Sequence, residues 1–396
     1  MRILVFNAGS SSLKFGVFDI AGTERHVLKG GFERFEQGRC RLAVVCGDQR
    51  VEREAALADI AAAANAVPNV LEAFGQTALD AVGHRIAHGG PDFAEPARLD
   101  DAAVAAIEGV TPLAPLHNPA NLKAVALARR LWPDLPQVAV FDTAFHQTNP
   151  PAATTYAVPR EWRDAGLRRY GFHGTSHKYV AQRAAQALDR PLETLKIVSC
   201  HLGNGASACA IDRGRSVDSS MGVTPLEGLV MGTRSGDMDP GAFGFLHRQL
   251  GLGIEEIEDA LYRRSGLLAL CGAADMRDIE RRAAEGDDQA RLAIEIYAYR
   301  VRKYVGAYAA AMGGIDALVF TGGIGENSPA MRARICGDLD FLGLGLDPER
   351  NRAVKLEDRA APRIEREGSR AAVIVTETAE QLMIARETAQ LLSHRA

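Results

Sequence analysis

The sequence lacks the common fingerprints of nucleotide and zinc binding. It contains no Gly-Lys dipeptide, which excludes a Walker A loop, and no glycine cluster after a predicted strand matches G-x-G-x-x-G. No H-x-x-x-H pair carries the flanking Glu of a zinc protease, so a zinc site is not predicted. If the chain binds a nucleotide, loops of another type must hold it.

Long apolar runs and cysteine motifs are also missing. The N-terminal apolar run covers only Ile3 to Phe6, too short for an export signal, and no other stretch approaches the length of a membrane span. We therefore expect a cytoplasmic protein without a membrane partner. The cysteines follow no C-x-x-C spacing, which predicts buried thiols without chemistry at Cys40, Cys46, Cys200, Cys209, Cys271 and Cys336.

The charge is balanced, which argues against a polyanionic partner. The 396 residues include 46 Lys and Arg against 50 Asp and Glu, a net charge of −4, and 47% of them are hydrophobic. This composition is typical of a folded globular protein and predicts no nucleic-acid partner. Because the chain is too long for one ordinary core, we expect two domains facing each other across a cleft.

Two segments half a chain apart share the pattern of strand, small polar turn and strand. The first begins at Ile3, turns at Asn7-Ala8-Gly9-Ser10 and ends at Asp19. The second turns from His201 to Gly205, and a third short strand follows it. The repetition predicts a duplicated domain. Strands alternate with helices elsewhere, so the predicted fold class is α/β.

Capping residues mark several helix boundaries, and the domain crossing is expected near Asn149-Pro150-Pro151. The predicted boundaries are Asn118 with Pro119, Gly313 after a long helix, Ser328 with Pro329 after the turn TGGIGEN, and 379–393 for the last helix.

Glycine-rich turns are candidate phosphate sites. Small side chains let backbone N–H groups approach phosphate oxygens, and Ser, Asn and His add donors. Both hairpin turns and TGGIGEN have this composition, and Lys14 follows the first turn as a countercharge. A plain β-hairpin explains either hairpin turn alone, whereas the combination favours phosphate binding.

Basic side chains gather in glycine-rich segments. Arg85 and Arg234 both lie among glycines, where a ligand can approach and a guanidinium can bind carboxylate or phosphoryl oxygens. Any single histidine of this group is explained as a structural residue. The other members are His84, His88, His117, His146, Arg168, Arg169, His173 and His177.

Two acids complete the candidate set. Asp142 ends an apolar strand, the usual place for functional groups in open α/β sheets, although a helix cap or turn residue would look the same. Glu380 begins the last helix, where an acid also complements the helix dipole without any further role.

These motifs, in this order, resemble the acetate kinase family, within the fold group of acetokinases, sugar kinases, heat-shock ATPases and actin. The resemblance covers essentially the whole chain and implies a homodimer of chains with two duplicated actin-like, ribonuclease H-like domains. Their implied bounds are 1–149 with the helix at about 380–396, and 150–379 for the nucleotide-binding domain. The motifs are NAGSSSLKF, GHRIAHGG, APLHNP, FDTAFH, RYGFHGTSH, HLGNGAS, TPLEGLVMGTRSGDMDPG, DMRD, FTGGIGENS and TAEQLMIA.

The resemblance also implies an activity and a role for each matching residue. The reaction would be ATP + acetate = ADP + acetyl phosphate, reversible, with Mg²⁺ or Mn²⁺, in the biosynthesis of acetyl-CoA. Asp142, His173 and Arg234 would be catalytic, and Arg85, Ala87, Leu116, Phe172 and Pro225 would bind the substrate. Asn7 and Glu380 would hold the metal. The implied ATP contacts are Lys14, His201, Leu202, Gly203, Asn204, Gly205, Asp275, Met276, Arg277, Gly323, Ile324, Gly325, Glu326 and Asn327.

Two positions depart from the family pattern. T-A-E-Q replaces the usual T-N-E-E, so Gln381 stands at the second acid and the metal assignment depends on Glu380. GHRIAHGG replaces GHRVVHGG, so Ala87 stands where Val lines the pocket for the substrate methyl group. The smaller side chain leaves room for about one or two methylenes, each worth about 0.8 kcal/mol when buried.

Two alternatives stay open. Ala87 favours a propionate or butyrate kinase of the same family. A nucleotide-binding switch of the actin and heat-shock type would use the same hairpins, but it has no need for Arg85, His173 and Arg234 beside a small apolar niche. Because a carboxylate substrate is already ionised at pH 7, we expect Asp142 to hold a metal-bound water or orient an Arg rather than abstract a proton.

Overall fold

The chain packs as two compact units. They are Met1–Gln147 with Ala379–Ala396, and Thr148–Thr378. The computed structural model describes residues 1–9, 12–21, 23–115, 117–357 and 360–393. The chain returns to the first unit after completing the second, so its last helix belongs with the N-terminal strands.

The first unit is built on one mixed sheet of eight strands. In chain order these are β1 (Arg2–Ala8), β2 (Ser12–Ala21), β3 (Thr23–Glu36), β4 (Arg39–Cys46), β5 (Gln49–Ala55), β6 (Ala81–Ile86), β7 (Ala97–Arg98) and β8 (Gln137–Phe141). Their order across the sheet is β5-β4-β3-β2-β1-β6-β8-β7. Because β1, β6 and β8 run parallel, their carboxyl ends meet at one edge.

Helices cover both faces of this sheet. In α1, Ala63, Val67 and Leu71 recur at helical spacing and pack in one core with Leu4 and Phe15 of the sheet. The helices here are α1 (Ile60–Ala73), α2 (Asp101–Gly109) and α3 (Asn118–Leu131), with 3-10 turns at Thr111–Leu113 and Ala144–Thr148.

The second unit has a five-stranded sheet and eleven helices within the residues described. The strands are β9 (Lys196–Leu202), β10 (Ala206–Asp212), β11 (Arg215–Ser219), β12 (Ala317–Thr321) and β13 (Ala372–Val375). The helices are α4 (Pro151–Thr154), α5 (Arg160–Asp164), α6 (Gly174–Leu188), α7 (Gly241–Leu250), α8 (Ile254–Arg263), α9 (Gly266–Cys271), α10 (Met276–Ala284), α11 (Asp288–Met312), α12 (Gly322–Asn327), α13 (Pro329–Cys336) and α14 (Pro348–Arg352), with 3-10 turns at Leu192–Thr194 and Asp340–Leu342. The long helix α11 packs on β9 and β10 in a single apolar core.

The same five-strand arrangement occurs in both sheets. In the second unit the order is β11-β10-β9-β12-β13, with β9 to β11 antiparallel and β9, β12 and β13 parallel. The first unit has this order in β3-β2-β1-β6-β8. The hairpins β1-β2 and β9-β10 occupy equivalent positions in the two sheets. The duplication and the α/β class predicted from the sequence are therefore confirmed.

The last helix, α15 (Glu380–Ser393), packs on β1, β2, β6 and β8 of the first unit. Its close approach requires glycine on β6, since a Cβ at Gly83 would lie 3.0 Å from Ile384 Cγ2. In the part of the chain that the structure covers, no helix is long and apolar enough to cross a membrane.

Most predicted helix boundaries are confirmed. Ser328 caps α13 by accepting the Met331 N–H at 2.9 Å, and Gly313 ends α11 in the left-handed conformation. Two details of the prediction were wrong. TGGIGEN folds as the short helix α12 rather than a turn, and His117 rather than Asn118 is the N-cap of α3.

All six cysteines are free, and five of them are buried; Cys46 is partly exposed. The expectation of buried thiols therefore holds for all but Cys46.

Candidate functional site

Arg85 and Asp142 form a buried ion pair at the carboxyl edge of the first sheet. Arg85 lies near the end of β6, and Asp142 directly follows β8, its parallel neighbour. Arg85 Nε lies 3.1 and 3.0 Å from the two carboxylate oxygens of Asp142, and Nη2 lies 2.5 Å from Oδ2. The Asp142 side chain is 1% exposed and that of Arg85 is 16% exposed. The Asp142 carboxylate therefore fixes the position of the Arg85 guanidinium.

Two more polar residues of the first unit face Arg85. Its Nη1 donates to Asn7 Oδ1 at 3.3 Å, from the end of β1. Burial opposes the charge of Arg85, yet its pKa is raised because the Asp142 and Glu380 carboxylates favour the cation. Three of the five N–H groups of the guanidinium donate to described residues, and the other two donate to none of them.

The oxygen donors beside Arg85 suit a hard cation that also binds phosphate. Asn7 offers an amide oxygen and Glu380 a carboxylate, the ligand types that Mg²⁺ takes in small number together with water and phosphate. Among the described residues, no cluster of three or more His, Cys, Asp or Glu is arranged to hold a metal.

The loop after β6 is fixed by two amides of α3. Asn118 accepts the His88 N–H at 3.1 Å and donates to the His88 carbonyl at 3.0 Å. Asn121 accepts the Ala87 N–H at 3.0 Å and donates to the Ala8 carbonyl at 2.7 Å. Sequence reasoning treated Asn118 as a helix cap and missed its contact with this loop.

The histidines of the same segment are not cations. Burial lowers the pKa of His84 to about 4, against a smaller opposing effect of its hydrogen bond with Gln137. Burial likewise lowers the pKa of His88 to about 4. Both are neutral at pH 7, so the structural explanation given for single histidines fits them.

In the second unit, His173 lies at the N-cap position of α6 in a left-handed conformation, with φ 57°. Its Nδ1 is 2.8 Å from Ser207 Oγ of β10, and its ring stacks on that of His201 with 4.3 Å between centroids. A non-glycine residue in this conformation is strained, which is common at functional sites.

Arg234 and His173 flank the glycine turn between β9 and β10. A Cβ built on Gly205 would lie 3.7 Å from His173 Nε2 and 3.8 Å from Arg234 Nη1. Arg234 Nη1 also donates to the Pro225 carbonyl at 3.1 Å. The turn is closed by the Gly203 N–H donating to the Gly205 carbonyl at 3.0 Å. An imidazole nitrogen, a guanidinium nitrogen and a bare backbone thus share one small space.

Other predicted nucleotide residues lie around this turn. Gly232 N–H donates to the Asn204 carbonyl at 2.9 Å, which joins the Arg234 loop to the turn. Gly322, with φ 77°, brings α12 against Leu202, where a Cβ would lie 2.8 Å from the carbonyl oxygen. The Glu326 carboxylate is used inside the unit, accepting the N–H groups of Gly322 and Thr378.

Asp275 and Arg277 hold each other at the start of α10. Asp275 accepts the Arg277 N–H at 2.9 Å and forms an ion pair with the Arg277 guanidinium. The Arg277 side chain is 88% exposed. The hydrogen bond from Arg277 lowers the pKa of Asp275. The next residue, Met276, is buried.

The apolar residues predicted to bind substrate fall in different units. Ala87 is buried in the first unit, and Phe172 and Pro225 are buried in the second. Leu116 lies outside the described residues. Lys14 is exposed on β2 directly opposite Asn7 of β1, so the two side chains project from the same face.

Sequence reasoning missed an ion pair that supports the Arg234 loop. Arg169 pairs with Glu227, and its Nη1 donates to the carbonyls of Ser219, Ser220 and Met221 at 3.1 to 3.2 Å. Burial opposes the Arg169 charge, but Glu227 raises its pKa. The two adjacent arginines in RRYGF were the only sequence feature that could have indicated this ion pair, and nothing in the sequence pointed to Glu227 as the partner.

Two solved structures match nearly the whole chain. Acetate kinase from Porphyromonas gingivalis has a TM-score of 0.90 at 40% identity, covering 99% of both chains. A propionate kinase from Francisella tularensis subsp. tularensis SCHU S4 has a TM-score of 0.91 at 39% identity, covering 98% of both. The protein is thus a carboxylate kinase with the two-domain actin-like ATPase fold.

Sequence comparison narrows this class. The model of the acetokinase family matches residues 2–386. Acetate kinase from Leifsonia xyli subsp. xyli is 50% identical over 399 residues, 99% of each chain. The chain belongs to the acetokinase family. It is an ATP-dependent enzyme, and the alternative of a nucleotide-binding switch is set aside.

Proposed function

We propose that this enzyme is an acetate kinase that transfers the terminal phosphoryl group of ATP to acetate, reversibly, giving acetyl phosphate and ADP. One observation carries the proposal: Asp142 holds Arg85 in place, and two N–H groups of Arg85 donate to none of the described residues, so they can bind a carboxylate. The relatives named above as acetate kinases support it. The product is an activated acyl donor, suited to acetyl transfer to the thiol of coenzyme A.

The mechanism follows from the charges of the reactants. The carboxylate nucleophile is already ionised, so it needs cations to approach another anion rather than a base. Arg85 binds and orients the carboxylate, while Arg234 and His173 stabilise the phosphoryl group during transfer. Asp142 keeps Arg85 in place. We propose that the two compact units are the two domains expected from the sequence.

Magnesium, or manganese in its place, is proposed to be held through Asn7 and Glu380. The neighbouring Gln381 is a neutral amide, and its Nε2 has no hydrogen-bond partner among the described residues. Glu380 is then the acid that serves the metal. When bound, the ion would neutralise charge on the phosphates of ATP.

The nucleotide is proposed to bind at the second unit through the turn His201–Gly205, with Asp275–Arg277 and Gly323–Asn327 near the nucleoside. The support is the shared space beside Gly205, which His173 Nε2 and Arg234 Nη1 both approach.

Replacing Gly205 with Ala should lower kcat/KM for ATP by about 10²-fold without unfolding the protein. The new Cβ would make ordinary contacts of 3.6 to 3.8 Å, so it fits, but it occupies the space beside His173 Nε2 and Arg234 Nη1. A displacement of about 1 Å at a reacting group costs about this much. Steady-state kinetics measures it.

The matched control for Gly205→Ala is Gly306→Ala, in the middle of α11, where a Cβ would meet no atom within 4 Å. This variant should keep full activity and gain about 0.5–1 kcal/mol of stability, because Ala is the better helix former. Equal kinetics for the two variants would contradict phosphate binding at Gly205.

Acetate is proposed as the preferred substrate over propionate. The test is trapping of the acyl phosphate as its hydroxamate, with acetate, propionate and butyrate compared at equal concentration. Higher kcat/KM for acetate supports the proposal. A preference for propionate or butyrate would identify the enzyme as a propionate or butyrate kinase, the alternative that Ala87 favours.

Replacing Ala87 with Val should raise the ratio of kcat/KM for acetate to that for propionate about fourfold. If the buried Ala87 lines the substrate pocket as proposed, the added methyl groups take space from the substrate. One buried methylene is worth about 0.8 kcal/mol, which corresponds to this ratio. An unchanged ratio would place Ala87 outside the substrate pocket.

The enzyme is proposed to work in the cytoplasm as a homodimer. Helix α7 buries none of its residues, and Phe245, Leu250 and Ile254, which are near one another in the chain, are 57%, 64% and 67% exposed. We propose that they form one apolar surface, which would mark an interaction site.

Replacing Phe245 with Asp should convert the dimer into a monomer, measured by size-exclusion chromatography with light scattering. A buried charge at the interface opposes association. Phe341→Asp is the control, because Phe341 is 70% exposed at a 3-10 turn outside this surface. A wild-type monomer at micromolar concentration would contradict the proposal.

A further inference from the structure

Four side chains behind the candidate phosphate site form a continuous chain of hydrogen bonds. His173 Nδ1 lies 2.8 Å from Ser207 Oγ, which lies 2.8 Å from His177 Nε2. His177 Nδ1 lies 2.7 Å from Ser199 Oγ. His177, Ser199 and Ser207 are fully buried, whereas His173 reaches the space beside Gly205. This chain of hydrogen bonds therefore leads from the core to the space beside Gly205.

The fold places these residues in register. His173 is the N-cap of α6, and His177 follows four residues later in this helix, which packs on β9. Ser207 of β10 pairs with His201 of β9, two residues from Ser199, so both serines project from the same sheet face. The helix and the hairpin together create the alternation of imidazole and hydroxyl.

Such a chain has two self-consistent directions when both rings are neutral. Each hydroxyl has one proton, and each neutral imidazole donates at one nitrogen and accepts at the other. In the first direction Ser199 donates to His177, His177 to Ser207, and Ser207 to His173 Nδ1. The proton of His173 is then on Nε2. In the opposite direction that proton is on Nδ1, and Nε2 presents a lone pair.

We propose that Ser207 and His177 are positioning residues that fix the neutral Nε2–H tautomer of His173. Nδ1 of His173 is bonded to Ser207, so Nε2 is the ring nitrogen on the side of Gly205, where Cε1 and Nε2 lie 3.6 and 3.7 Å from the position of a Cβ. A lone pair at that place would repel a phosphoryl oxygen, whereas an N–H donates to it. This inference rests on the proposed role of His173 in phosphoryl transfer, and it explains why a buried serine-histidine pair stands behind it.

The tautomer is measured directly by ¹⁵N NMR of the full chain labelled at histidine. Protonated and unprotonated ring nitrogens resonate far apart, and loss of signals in His173→Asn assigns the residue. Spectra are recorded at about pH 9, where imidazoles of ordinary pKa are neutral. We expect the wild type to carry the His173 proton on Nε2, and Ser207→Ala to shift it toward a mixture of both tautomers.

Kinetics of the same variants give a second measurement. Ser207→Ala should lower kcat about tenfold and leave KM for acetate within about twofold, since a tautomer affects transfer more than carboxylate binding. Ser207→Thr keeps the hydroxyl and should restore both the tautomer and most of kcat. Ser216→Ala is the matched control, because it removes a buried hydroxyl from β11 of the same sheet and should change neither quantity.

The outcomes separate this inference from the proposed function. A wild-type His173 with its proton on Nδ1 overturns the inference, even if Ser207→Ala fails to fold. A tautomer unchanged in a folded Ser207→Ala overturns it as well. If the tautomer depends on Ser207 but no acyl phosphate forms, the hydrogen-bond inference stands and the proposed function fails.

Discussion

Replacing Asp142 with Asn should lower acyl phosphate formation by about 10³-fold or more, with no new pH optimum. The neutral amide keeps the shape but removes the charge that holds Arg85 through three contacts of 2.5 to 3.1 Å. A guanidinium that is no longer oriented presents its N–H groups poorly to the carboxylate, and misplacement by about 1 Å costs about 10²-fold before the charge is considered. The optimum stays because Asp142 transfers no proton in this account.

The same variant should be less stable by about 3 kcal/mol, because a buried guanidinium loses its charge partner. Urea unfolding measures this. Asp101→Asn is the matched control, since Asp101 pairs with Arg129 at the surface and is 94% exposed. That change should cost less than about 1 kcal/mol and leave turnover intact. Activity of Asp142→Asn within tenfold of wild type would refute the role given to Asp142.

Replacing Arg234 with Ala should lower kcat by about 10³-fold while changing KM for acetate by less than about threefold. An arginine that acts on the transferring phosphoryl group stabilises charge that develops only in the transition state. Its Nη1 lies beside Gly205 with His173 Nε2, where such charge would be met. Arg234→Lys should recover only part of the loss, because an ammonium lacks the planar fork.

The control for Arg234 is Arg281→Ala on α10, an exposed arginine paired with Asp278 and Glu285. It should leave kcat unchanged. A rise in KM for acetate without loss of kcat in Arg234→Ala would reassign Arg234 to substrate binding.

Much of the fold could be predicted because the pattern repeats. The two hairpins and their turns predicted the duplication. Because β1, β6 and β8 are parallel, their carboxyl ends bring Asn7, Arg85 and Asp142 to one edge of the sheet. By contrast, the outer strand β5 has the sequence QRVEREA with nearly every residue exposed. It pairs with β4 without an apolar face, so no hydrophobic alternation marked it.

The parts that escaped prediction depend on tertiary contacts. Ser199 and Ser207 occur in strands that read as apolar, and only the fold shows their contact with His177. Asn118 looked like a helix cap, but its amide is used for the backbone of His88. Local sequence propensity cannot predict a hydrogen-bond partner about 30 residues away in the chain.

The most direct test of the central claim is ADP formation with ATP and Mg²⁺, measured with and without acetate, with the acyl phosphate trapped as hydroxamate. We expect ADP only when acetate is present, one hydroxamate for each ADP, and loss of both when the metal is chelated. ADP release that is independent of any short-chain carboxylate, with no hydroxamate, would contradict the account.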